Sequence, residues 1–136
     1  MNRDQATQIA TLLKQNQLTT EHTTDSVLNA SDNYVFLEEE DKVVACAEIK
    51  KVQWYQWEVS HVSVLKPRRG LGNKIVTEAE KVAKQKNAKV IQCTIRSDNE
   101  SSIGLFKSRK YSQGVTFYYP NSGNDVIIFQ KTLSIR

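Results

Sequence analysis

A chain of 136 residues, 39% hydrophobic and 25% charged, matches one globular domain that can bury a core. Lys and Arg outnumber Asp and Glu by 19 to 15, a surplus of +4 that suits an anionic ligand such as a nucleotide phosphate, or simply a solvated basic surface. The longest apolar runs are far shorter than the roughly 20 residues of a membrane helix, and no charged-then-apolar leader opens the chain. A cytoplasmic protein with no membrane insertion is expected.

In chain order, Asp4 is placed to cap a helix in which Ile9, Leu12 and Leu13 recur at helical spacing, fading into the polar stretch 16–24. A short helical turn is expected over 25–30. Residues 34–38 read as a strand that stops at the acidic run Glu38, Glu39, Glu40 and Asp41, which reads as a hairpin turn. Two more strands, 43–52 and 57–65, are rich in β-branched and aromatic residues, completing an antiparallel meander.

After Pro67, Gly70 and Gly72 mark a turn. Ile75, Val76, Ala79, Val82 and Ala83 then share one face of a helix reaching about Lys86. Residues 90–95 form an apolar strand, followed by a helix capped by Ser97 or Asp98 and carrying Ile103, Leu105 and Phe106. Strands over 114–119 and 126–131 flank a turn-rich loop. The interleaved helices and strands give an α/β or α+β class with a mixed sheet. Cys46 and Cys93 lie in apolar strands without metal-site or redox spacing and read as small core residues.

The segment 62–76, VSVLKPRRGLGNKIV, joins an extended run to a glycine-containing turn and a helix start. The first turn of a helix carries N–H groups without internal partners and a partial positive charge, so it attracts phosphate. Arg68, Arg69 and Lys74 add charge beside it. Two glycines can also serve only a tight turn. The Gly-Lys-Ser/Thr ending of a nucleotide P-loop and the third glycine of a dinucleotide fingerprint are absent.

Further on, residues 99–111 read NESSIGLFKSRKY. With Asn99, Ser102, Leu105, Phe106 and Tyr111 in one pattern and Gly70 and Gly72 in another at the expected distance upstream, the chain resembles the GNAT superfamily of N-acetyltransferases. The resemblance covers about 33–133. It implies a single α/β domain over 1–136, with a splayed mixed sheet flanked by helices and a first strand that is short or absent. Acetyl-CoA is the implied co-substrate. Val64 and Leu65 would meet its acetyl and pantetheine end, and Arg69, Gly70, Leu71, Gly72, Asn73 and Lys74 would surround its pyrophosphate. Asn99 would lie near the pantetheine or act simply as a helix cap.

Amine acetylation needs an unprotonated nitrogen, a positive group near the thioester oxygen and a proton for the departing thiolate. Glu58 is the first candidate base, because strand alternation places Glu58, Ser60, Val62 and Val64 on one face, and some family members use a glutamate in the corresponding strand. His61 has a suitable intrinsic pKa but lies on the opposite face, and Glu48 is a third candidate. Glu58 can equally be a strand-edge residue facing solvent, and His61 a packed structural histidine.

Three departures from the family pattern stand out. Phe106 occupies the place of a tyrosine that protonates the CoA thiolate in many members, with Tyr111, Tyr118 and Tyr119 as possible substitutes. Pro67 replaces a Gln or Arg. Lys110 replaces a glycine and is expected to change the helix ending. The short amino-terminal part leaves a sheet edge open to homodimer formation.

Partners are expected to be a small-molecule or protein amine. The alternative reading is a catalytically weak or inactive acyl-CoA or partner-binding module. A basic cluster of Lys66, Arg68, Arg69 and Lys74 accompanied by Trp54, Tyr55 and Trp57 raises nucleic acid as a further rival, but no recognised nucleic-acid motif accompanies it.

Overall fold

The computed structural model describes residues 1–16, 22–66, 70–121 and 123–133. In chain order they form α1 (Arg3–Asn16), α2 (Thr24–Asn29), β1 (Tyr34–Glu39), β2 (Lys42–Gln53), β3 (Gln56–Val64), α3 (Leu71–Gln85), β4 (Val90–Arg96), α4 (Glu100–Ser108), β5 (Ser112–Tyr119) and β6 (Asn124–Thr132). The strands make one six-stranded mixed sheet in the order β1-β2-β3-β4-β6-β5, an α/β architecture. Among the described residues no strand precedes α1, as expected. The chain divides into two compact units, Met1–Lys50 with Val59–Val82, and Lys51–Glu58 with Ala83–Arg136.

In the first unit, α1 packs Ala6, Ile9, Ala10, Leu12 and Leu13 into a core with Val27, Tyr34, Val43 and Cys46. Those apolar residues recur at helical spacing along one stripe, which is why this segment is a helix with a single buried face. Its start differs from the sequence expectation. Asn2, rather than Asp4, supplies the cap: Asn2 Oδ1 accepts from Gln5 N–H at 2.8 Å and Gln5 Oε1 accepts from Asn2 N–H at 2.9 Å. This reciprocal pair is a capping box, and Asp4 falls inside the first turn, where its charge favours the helix dipole. Truncating fully buried Leu13 to Ala would cost about 2–5 kcal/mol.

The acidic run contains a hairpin turn, as read from the sequence, but Glu38 and Glu39 are the last residues of β1 and only Glu40 and Asp41 turn. Glu39 pairs with Lys42, and Glu40 and Asp41 between them take φ of 52° and 65°. Two successive left-handed residues are the signature of a type I′ turn, whose twist matches that of the flanking strands. β3 follows β2 after two residues and lies beside it, with Leu65 N–H donating to Val44 O at 2.8 Å.

In the second unit β4 pairs antiparallel with β6 from Val90↔Thr132 to Arg96↔Val126. Its parallel ladder with β3 consists of Gln56↔Val90, Trp57↔Ile91 and Glu58↔Gln92. Phe129, Ile91, Cys93 and Phe106 are buried here. All eight residues of β5 are exposed, on both faces of a strand at the end of the sheet order.

Both cysteines are buried free thiols, as expected of core residues, and burial pushes each up to about 12.

Candidate active site

β2 and β3 bring together two of the three candidate bases. His61 Nδ1 lies 2.8 Å from Glu48 Oε1, and Ser60 Oγ lies 3.4 Å from the same nitrogen. An ionised carboxylate only accepts, so Nδ1 carries a proton toward Glu48, and in the neutral ring the lone pair is on Nε2. The His61 hydrogen bond holds the Glu48 carboxyl below its ordinary value; burial opposes this, and the nearby His61, His22 and Lys50 charges reinforce it. The His61 side chain is 37% exposed, so the ring is within reach of solvent and small solutes.

His61 sits at φ 52°, a left-handed conformation inside a strand. A non-glycine residue there is strained, by about 1–3 kcal/mol, and the regular alternation of β3 does not carry through it. Sequence reasoning placed His61 on a strand face by parity and had no means of seeing this break. Nor did it single out His22, which joins the pair. His22 Nε2 is 3.9 Å from Glu48 Oε1, and the His22 and His61 rings meet edge to face with centroids 5.0 Å apart. Burial lowers the His22 pKa, His61 adds to the lowering, and Glu48 opposes it.

Glu58, the first candidate by sequence, belongs to a different network. Gln92 Nε2 donates to Glu58 Oε1 at 3.4 Å, while Gln92 Oε1 accepts from Gln56 Nε2 at 2.7 Å and Gln130 Nε2 at 3.1 Å.

The turn into α3 begins with Gly70 at φ 72°. Gly72, expected in the turn, is instead the second residue of the helix. Among the described residues the first helical bond runs from Lys74 N–H to Gly70 O at 3.1 Å, and the N–H groups of Leu71 and Gly72 precede it. No acidic residue occupies that first turn. A cavity of about 580 Å³ opens beside it, lined by Leu65, Leu71, Val44, Lys42, Lys66, Glu39 and Glu40. Val64 ends β3, half-buried, one residue before Leu65. Arg69, with Pro67 and Arg68, lies outside the described residues.

The second motif forms α4, capped by Asn99, whose Oδ1 accepts from Ser102 N–H at 3.1 Å. The expected caps are not used: α4 begins two residues after Asp98, and the Asp98 carboxylate instead takes two hydrogen bonds from Arg96 at 2.9 and 3.1 Å. Phe106 is 3% exposed and packs edge to face on Tyr111 at 4.9 Å. Tyr118 and Tyr119 stand exposed on β5. Lys110 does not change the helix ending as expected. It adopts φ 70° and keeps the turn that glycine would make.

No curated protein sequence matches the chain. Solved structures do. The structure of yncA from Salmonella typhimurium, with its cofactor acetyl-CoA, aligns at a TM-score of 0.86 and 19% identity over 100% of this chain and 92% of that one. The ribosomal-protein-alanine N-acetyltransferase of Brucella melitensis gives 0.82 and 18%, over 97% and 96%. An aminoglycoside 6′-acetyltransferase type Ii gives 0.84 and 17%, over 100% and 96%. At these identities the likeness establishes the fold. The model of the acetyltransferase (GNAT) family matches residues 5–111. The chain therefore belongs to the GNAT acetyltransferase family.

Proposed function

We propose that this chain is a cytoplasmic N-acetyltransferase, acting as one domain, that moves the acetyl group of acetyl-CoA to a primary amine of a small molecule or protein. The observation that carries the catalytic part is the His61–Glu48 pair at 2.8 Å on a partly exposed ring. Family membership and the α3 turn support the co-substrate.

The residues present fit that co-substrate. The head of α3 offers the backbone N–H groups of Leu71 and Gly72 to a pyrophosphate, with Lys74 and Lys66 adding positive charge. Leu65 and Leu71 give the adjoining cavity an apolar wall suited to a pantetheine arm. Bound there, acetyl-CoA supplies an activated acyl carbon and a thiolate leaving group.

His61 Nε2 accepts the proton that the amine must lose, and Glu48 holds the ring in the tautomer that leaves this nitrogen free. Phe106 has no hydroxyl and is buried against Tyr111, so it gives the thiolate no proton; the thiolate leaves as such or takes one from water. Glu58, tied to Gln92, is the alternative base.

The test is titration of acetyl-CoA into the protein by calorimetry, followed by incubation of the complex with a panel of amines while CoA release is followed. Binding with amine-dependent release supports the transferase. Binding with no release on any amine favours an acyl-CoA-binding module, and absence of binding overturns the reading.

A further inference from the structure

His22 extends the His61–Glu48 pair into a cluster that proton transfer does not require. The ligand-capable atoms of His22, Glu48 and His61 all lie within 4.8 Å of one another. Three elements fix them independently. Glu48 is on β2 and His61 on β3, while His22 directly precedes Thr23, which is locked by the reciprocal cap with Ser26 at the start of α2.

We propose that His22, Glu48 and His61 form a three-ligand site for a divalent ion of the zinc class, and that filling it inhibits acetyl transfer.

Two imidazoles and one carboxylate are a common zinc donor set, and imidazole nitrogen selects against calcium and magnesium. Donors on one zinc ion at about 2.0–2.1 Å stand roughly 3.3 Å apart. The observed separations bracket that value: 2.8 Å from His61 Nδ1 to Glu48 Oε1 and 3.9 Å from His22 Nε2 to the same oxygen. Rotamer adjustments of about half an ångström close these two differences, and the His22–His61 pair, within 4.8 Å, closes by at most about 1.5 Å. The side chains of His22 and Glu48 are 18% and 19% exposed and that of His61 37%, so an ion enters from the His61 side and keeps an open position there.

Coordination at Nδ1 requires the other neutral tautomer: the Nδ1 proton leaves to solvent and Nε2 takes one up from solvent, with no net release. The His61 ring then carries its single proton on Nε2. The nitrogen assigned above to accept the amine proton becomes a donor. This inhibitory half rests on the proposed function; the metal site does not.

The test uses metal-free full-length protein titrated with zinc sulfate by calorimetry, and cobalt chloride by visible absorption. One zinc ion per chain is expected, with a cobalt d–d band typical of low coordination number. His22→Gln and Glu48→Gln should each weaken zinc binding by about 100-fold or more while far-UV circular dichroism is unchanged. His61→Asn gives a further variant, because asparagine tolerates the left-handed backbone at that position. Absence of zinc binding, or binding that all three variants retain, overturns the site.

Activity is read separately as acetylated product by mass spectrometry, since free CoA thiol itself binds zinc. Zinc should abolish turnover by the unsubstituted protein and leave that of His22→Gln within about twofold of the same variant's own zinc-free rate. Zinc that binds through His22 yet leaves turnover intact overturns the inhibitory half, and with it His61 as base, while the metal site stands on the binding data.

Discussion

The N–H of Tyr111 donates to the carbonyl of Phe106 at 3.1 Å, closing α4 with a bond that skips back five residues. Lys110 between them donates to Lys107 O at 3.0 Å, so the two bonds together make a Schellman ending with a lysine at the left-handed position. α3 ends the same way: Asn87, at φ 69°, occupies that position, Asn87 N–H donates to Lys84 O at 3.0 Å, and Ala88 N–H to Ala83 O at 3.0 Å. Asparagine tolerates the conformation better than lysine does.

Lys110→Gly should therefore raise stability by about 1 kcal/mol, since glycine removes the Cβ penalty of a left-handed residue. Urea unfolding checks this: the midpoint rises while the slope stays the same.

Glu48→Gln should lower kcat/KM by roughly 10²-fold or more with little change in the affinity for acetyl-CoA, because it removes the charge that fixes the His61 tautomer. Glu58→Gln should leave the rate within about threefold if His61 is the base. The opposite ranking in steady-state kinetics would transfer the role to Glu58.

Lys66→Glu places a negative charge on the wall of the cavity beside α3. The KM for acetyl-CoA should rise about tenfold, with kcat nearly unchanged, and the increase should shrink at high salt.

Cys46 and Cys93, each pushed up to about 12, are almost wholly protonated at pH 8, with about one molecule in ten thousand as thiolate. The raised value means that reactivity grows as pH increases. Iodoacetamide at pH 8 should leave the native protein unlabelled by mass spectrometry and modify both thiols once denaturant is added. Rapid native labelling would contradict their burial.

The sequence was most informative where one element carries its own signal. The stripe Ile9, Leu12 and Leu13 specified α1, and β-branched runs specified β2 and β4, because period and burial are local properties. Caps were harder to place. Ser97, Asp98 and Asn99 are all capable residues, and the choice of Asn99 depends on where the backbone turns helical, with Arg96 engaging Asp98.

The candidate site was legible only as a set of names. Glu48 and His61 are 13 positions apart, and their meeting depends on the position of β3 beside β2 and on the left-handed turn at His61. A conformation that glycine usually supplies left no composition signal in a histidine. His22 carried no signal at all: it lies in a polar stretch with no periodicity, and only the packed structure brings it to Glu48.

A strand bathed by water on both faces has little apolar burial to resist local opening. β5 is such a strand, and among the described residues its ladder is with β6 alone. Its amides should therefore exchange with deuterium long before those of β4, which has ladders on both sides. Between these two strands, a protease in limiting amount should cut within β5 before it cuts within β4.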